Sequence, residues 1–238
     1  LARRFRRGKS SNRYISFVSL SSTLGIGLGC FVLIILLSVM NGFERELRER
    51  LLAIIPHAEL FSINQQGIVD WREYQQVLGE DPRIKEVEPY TKITGMIQQG
   101  SELKAVELTG IQINAAIPAR WQNEISDTDW QQLREGPNQV LLGKGILNKL
   151  GLAPGDKISV VIPSVTEDLT FAAPKNLYLT VAGSIQVGGE LDNLIGIMHL
   201  ETASEQAGIK SGAQGLRFQF YDPFAAYSII REVGYGFP

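Results

Sequence analysis

Few side chains in this sequence have the types and spacing that chemistry needs. His57 and His199 are the only histidines, and neither has a second ligand-type residue at metal-site spacing. There is no G-x-S-x-G or H-E-x-x-H motif. The run GPNQVLLGKGI contains Gly-Lys, but Gly145 stands where a phosphate loop needs the Ser or Thr that binds magnesium. Lys144 therefore reads as part of a strand-to-helix turn. GIGLG, from Gly25 to Gly29, resembles a dinucleotide loop only superficially, since it lies inside apolar sequence with no strand before it. Glu190 and Asp192 in GGELD read as turn residues. Catalytic residues and metal ligands are accordingly expected to be absent.

The elements around these residues are organised by one stretch, Tyr14 to Phe43, whose apolar centre runs from Ile15 to Met40 without a charge or a histidine. As a helix it reaches further than the roughly 30 Å of a bilayer's hydrocarbon core, so a transmembrane helix is expected over 14–43. Residues 1–13 carry Arg3, Arg4, Arg6, Arg7, Lys9 and Arg13 and no acid. Basic residues next to a first span stay in the cytoplasm, which places this arm inside and everything after Met40 outside. A cleaved signal peptide starts the same way, but its apolar region is shorter and ends in a small-residue site that MNGFERE lacks.

Six of the 23 basic residues lie in that arm, leaving 17 against 25 acidic residues, a net of −8 for the remainder. An acidic exterior argues against nucleic acid as a partner. The single cysteine, Cys30, falls inside the span, so the exterior must be stabilised by an ordinary core and not by a disulfide.

Ser21, Gly25 and Gly29 recur every four residues on one helix face, the small-residue spacing that lets a second membrane helix pack closely. Beyond the span, Phe43, Leu47, Leu51 and Ile54 keep the helical period, with Glu44–Arg48 and Glu46–Arg50 pairs at four residues. An amphipathic stalk helix over 44–56, stopped by Pro56, is the expectation. Its apolar side either packs on its own domain or lines a cavity at the membrane edge.

Residues 57–238 read as an α+β domain with at least seven short strands. The expected order is a strand at ELFSI, a helix in VDWREYQQVLGEDPRI closed by Gly79 and Pro82, and a hairpin turning at Gln99-Gly100-Ser101. A short helix over 128–135 and a strand–helix–turn–strand unit over 140–163 follow. Ser164 to Lys175 is expected to be a loop, after which come strands at NLYLTVAGSIQVG, LIGIMHL and LRFQFYD. Helices are expected at TASEQAGI and FAAYSIIREVG.

The arm LARRFRRG, the span ending LSVMNGFERE and the segment Pro56-His57 resemble the LolC/LolE permease family of the lipoprotein-releasing LolCDE transporter. VLLGKGI, VVIP and AAPKNLYLTVAGSIQVGGELDN resemble the LolE type within it, whereas the LolC type has a longer carrier-recruiting hook after the strand equivalent to VVIP. The resemblance implies a MacB-like periplasmic domain and a permease subunit in the bacterial inner membrane that works with a LolC-type permease and a LolD-type ATPase. It implies no cofactor in this chain, with ATP and magnesium on the ATPase. The substrate would be outer-membrane lipoproteins, passed to the periplasmic carrier LolA. Family members continue with three further spans, so the chain reads as a fragment.

Acyl chains leaving a bilayer need an apolar surface at its outer edge, each buried CH₂ being worth about 0.8 kcal/mol. Met40, Phe43 and Leu47 match the family's residues there and share one helix face, so they are the expected contacts for the acyl chains. Two other readings remain at this point. One is a LolC-type or hybrid permease that recruits the carrier directly. The other is a single-span periplasmic enzyme or chaperone.

Overall fold

The computed structural model describes the backbone of residues 13–54, 56–100, 102–165 and 171–234, with side chains over 17–44, 56–100, 102–163 and 173–233. The basic arm before Arg13 lies outside the described residues, as do 166–170. The chain separates into two units that divide after Leu51.

The first unit holds most of one long helix, α1 (Arg13–Ile54), whose last residues fall in the second. Within its 28 residues from Phe17 to Glu44, the most apolar 18-residue stretch has a mean hydropathy of 2.5, and none of that stretch is buried within the chain. That length corresponds to roughly 42 Å of helix, more than a bilayer core requires. Pro56 follows two residues after α1, where its missing N–H and fixed ring no longer disturb a helical turn.

The second unit is α+β. Its elements are β1 (Ala58–Phe61), α2 (Trp71–Gly79), β2 (Ile84–Gln99), β3 (Glu102–Ile111), α3 (Asp127–Arg134), β4 (Gln139–Gly143), α4 (Lys144–Leu150), β5 (Lys157–Val165), β6 (Phe171–Ile185), β7 (Ile195–His199), α5 (Leu200–Ala207), β8 (Gly215–Phe220) and α6 (Ala226–Gly234). Short 3₁₀ turns at Ala119–Trp121, Gly189–Asn193 and Pro223–Ala225 complete it. The strands run in the order β1-β8-β2-β3-β7-β4-β6-β5, and β5 pairs again with β2, closing six strands into a barrel with β8 and β1 as an extension. β3–β7 and β4–β6 are parallel, and the remaining neighbours are antiparallel.

Closure depends on Gly95. A Cβ there would stand 2.7 Å from Val160 Cγ1 and 2.9 Å from the Val161 carbonyl, so only glycine lets β5 reach β2. Strand alternation then fills the barrel: Ile93 and Ile97 of β2, Val106 and Leu108 of β3, Val140 and Leu142 of β4 and Met198 of β7 point inward, capped by Ile146, Leu147 and Leu150 of α4. The intervening residues Leu141 and Ile197 face outward, under Trp130 and Leu133 of α3. Ser126 caps α3 by accepting from the Asp129 N–H at 3.1 Å. A third cluster joins α2 and α6 to the extension, through Trp71, Val87, Leu216, Phe218, Phe220 and Ile229.

One expectation needs correction. The segment from Ser164 to Lys175 is not all loop: Ser164 pairs with Ala172 and Val165 with Phe171, prolonging the β5–β6 ladder. Pro163 and Pro174 made it look open, yet both sit at a register shift between Ile162 and Ser164, where one residue opposes two and a missing N–H breaks no ladder bond. The helix expected to close at Gly79 and Pro82 ends at Gly79, and Ile84 beyond it opens β2 and pairs with Phe220.

Candidate functional site

On α1, Met40 and Phe43 present 63% and 64% of their surface outward. Leu47 continues the same face about one helical turn further on, its side chain lying outside those described. Ser21, Gly25 and Gly29 are likewise exposed, and a Cβ built on either glycine would meet nothing within 4 Å. The small-residue face is thus open along its length. Thr23 turns its hydroxyl back onto the Ser19 carbonyl at 2.7 Å, leaving no polar atom of its own outward.

Both histidines are committed to the fold. His57 Nδ1 accepts the Phe220 N–H at 3.0 Å, and its ring stacks on Phe220. His199 Nε2 lies 2.7 Å from the Leu133 carbonyl, so that nitrogen carries the proton and donates. Among the described residues no cluster of His, Cys, Asp or Glu could hold a metal ion. Lys144 opens α4 directly after β4, and a Cβ at Gly143 would stand 2.3 Å from the Asp192 carbonyl, so that glycine serves close packing. Asp192 accepts from the Val187 and Gly188 N–H groups at 2.8 and 3.0 Å, fixing the turn.

The structure also gathers residues that the sequence reading left unremarked. Strand β8 is covered on both faces: Leu216, Phe218 and Phe220 enter the core, and the alternate Arg217 is only 6% exposed. Register places Arg217 between Glu59 of β1 and Glu88 of β2. Both carboxylates bind elsewhere. Glu59 accepts from Lys92 Nζ and from the Tyr90 hydroxyl, each at 3.1 Å. Glu88 pairs with the buried Arg120, delivered by the 3₁₀ turn that follows β3. The Arg217 guanidinium lies over the Tyr90 ring, 4.5 Å from its centroid. Burial, with the Arg120 charge second, pushes Arg217 down to about 10, so it remains a cation at neutral pH. Beside these groups lies a cavity of about 360 Å³ bounded by β3, β7, Trp121 and the β6–β7 connection.

Glu86 belongs to the same cluster. Burial first, and the Glu88 charge second, push its carboxyl up to about 7. A carboxyl raised in the folded state from 4.5 contributes stability that is present below about 4.5 and lost as pH rises through about 7. Glu86→Gln, which stays neutral, is therefore expected to match the parent near pH 5 and to exceed it near pH 8 in urea midpoint. Unchanged pH dependence in that variant would remove Glu86 as the cause.

The model of the MacB-like periplasmic core domain matches residues 19–221. The chain is similar to the lipoprotein-releasing system transmembrane protein LolE of Haemophilus influenzae, 32% identical over 231 residues, covering 95% of this chain and 55% of the relative. It is also similar to the lipoprotein-releasing system transmembrane protein LolC of Neisseria meningitidis serogroup B, 30% identical over 227 residues, covering 92% and 53%. The chain spans about half the length of these curated relatives. Among solved structures, the extracellular domain of the noncanonic ABC-type transporter YknZ from Gram-positive bacteria aligns with a TM-score of 0.44 at 14% identity, covering 71% of this chain and 86% of that one.

Proposed function

The chain belongs to the family of MacB-like periplasmic core domains, and from that we propose that it is part of a permease subunit of an ABC transporter that releases lipoproteins from the bacterial inner membrane. The observation that carries this reading is the 28-residue apolar helix, unburied within the chain, joined without a break to a domain of this family. Such a helix needs hydrocarbon or other apolar helices around it. With the basic arm inside, the domain lies in the periplasm.

In this reading the subunit pairs with a LolC-type permease, Ser21, Gly25 and Gly29 forming a packing face for neighbouring helices. A LolD-type subunit hydrolyses ATP, so this chain needs no cofactor of its own. Lipoprotein acyl chains leave the bilayer along Met40, Phe43 and Leu47, where methionine's flexible thioether adapts to chains of different shape. The carrier LolA receives the product. Similarity to relatives of both types keeps a LolC-like role as a second reading, in which the β5–β6 arm around residues 164–175 would bind LolA directly.

Reconstitution tests the proposal. The full-length protein bearing this chain, with its LolC-type and LolD-type partners in proteoliposomes, is expected to release a triacylated lipoprotein to LolA only when ATP is present. Release that proceeds equally well without this subunit would refute the reading.

A further inference from the structure

We propose that the cavity on the outer face of β3 and β7 binds a small monoanionic carboxylate with an apolar tail, its head on Arg217 and Trp121 and its tail on Ile111, Val187, Leu191 and Ile195. Among the described residues, the buried side-chain polar atoms with no hydrogen-bond partner are Arg120 Nε, Trp121 Nε1 and Arg217 Nε. All three are N–H donors and all belong to one cluster. Arg217 and Trp121 both line the cavity, and they are only 6% and 7% exposed. Buried polar groups are almost always satisfied, so two unpartnered donors on residues that line one cavity call for an acceptor there. The contrast within the chain is sharp: Trp71 Nε1 donates to the Ser211 carbonyl at 3.0 Å and Trp130 Nε1 to the Asn114 carbonyl at 3.2 Å, leaving Trp121 as the indole without a protein acceptor.

The chemistry of the acceptor follows from the rest of the wall. Arginine favours a planar oxyanion. Glu59 and Glu107 also border the cavity, and their charges disfavour a doubly charged phosphate more than a singly charged carboxylate. Lys92, which would otherwise compete for the head, is held by Glu59. The far side is apolar, and the volume of about 360 Å³ falls within the range of about 300–1,000 Å³ typical of small-molecule sites.

The chain contains three tryptophans, so the indole N–H resonances of the ¹⁵N-labelled full chain in lipid nanodiscs give a direct readout. Adding hexanoate is expected to move the Trp121 signal saturably while the Trp71 and Trp130 signals stay in place. Hexanol, acetate and inorganic phosphate should each need at least tenfold higher concentration for the same shift. Arg217→Gln should weaken the hexanoate response tenfold or more. Val187→Phe, which fills the cavity and leaves Arg217 untouched, should do the same and decides the matter if the arginine variant fails to fold. A Trp121 signal unmoved by hexanoate overturns the proposal. So does an equal response to hexanol or phosphate, or an undiminished one in a folded variant of either kind.

Discussion

Replacing Phe43 by Asp is expected to lower lipoprotein release by roughly a hundredfold while leaving assembly with the ATPase intact. Phe43 is 64% exposed on α1 and shares a face with Met40. A carboxylate set against hydrocarbon costs about 2.5–3.5 kcal/mol, and every 1.4 kcal/mol is about a tenfold loss in affinity. Insertion of the helix should survive, because Glu44 follows directly and the bilayer already accommodates a charge at this depth. Phe43→Leu should retain release, since it keeps the apolar surface. Co-purification of the ATPase with the Asp variant separates lost substrate contact from lost assembly. Release at the parental rate in an assembled Phe43→Asp complex would remove this face from the substrate path.

Glu88→Ala should be among the most destabilising single changes in the domain. Its partner Arg120 has a side chain 1% exposed, and Glu88 itself only 15%. Removing one member of a buried pair leaves the other charge without compensation, at a cost of about 3–5 kcal/mol. Arg217 shares that environment and would feel the same loss, since the Glu88 charge helps to hold it protonated. In a unit of this size each kcal/mol lowers Tm by about 2–4 °C, so a drop of roughly 10 °C is expected. Glu88→Met combined with Arg120→Met should recover most of it, because replacing both members with apolar groups of similar volume removes the uncompensated charge. Thermal unfolding of the parent, Glu88→Met, Arg120→Met and the double variant measures the coupling. A loss below about 1 kcal/mol in Glu88→Ala would show that the pair is exchanged for solvent at little cost.

The parts of this fold that were readable from sequence are those specified locally. The hairpin at Gly100 followed from a turn residue between alternating strands, and structurally it carries φ 60° at that glycine. The helix expected over 128–135 is found at Asp127–Arg134, just before Gly136 and Pro137. What escaped was set by contacts distant in sequence. Nothing in the local pattern of YTKITGMIQ says that β5 will close on it, since Met96↔Val161 pairing is permitted only by the missing side chain at Gly95. The charged cluster escaped for the same reason. Arg217 in LRFQF has the alternation of a solvent-facing residue, yet it is buried, in register with the Glu88 that pairs with Arg120 and beside a cavity that Trp121 also lines. The prolines at 163 and 174 misled in the opposite direction, marking a bulge within a ladder and not its end. Met40 and Phe43 were placed by family resemblance and helical period, and α1 keeps them on one exposed face.

The central claim is that lipoprotein passes along the outer end of α1, and site-specific photo-crosslinking measures it most directly. A crosslinker at Phe43, in the assembled complex loaded with a triacylated lipoprotein, is expected to capture the lipoprotein, and ATP with LolA present should diminish the adduct. The same group at Ser38, half a turn round the helix from that face, should capture far less. Equal capture at Phe43 and Ser38, or none at Phe43 in a complex that still releases lipoprotein, would contradict the account.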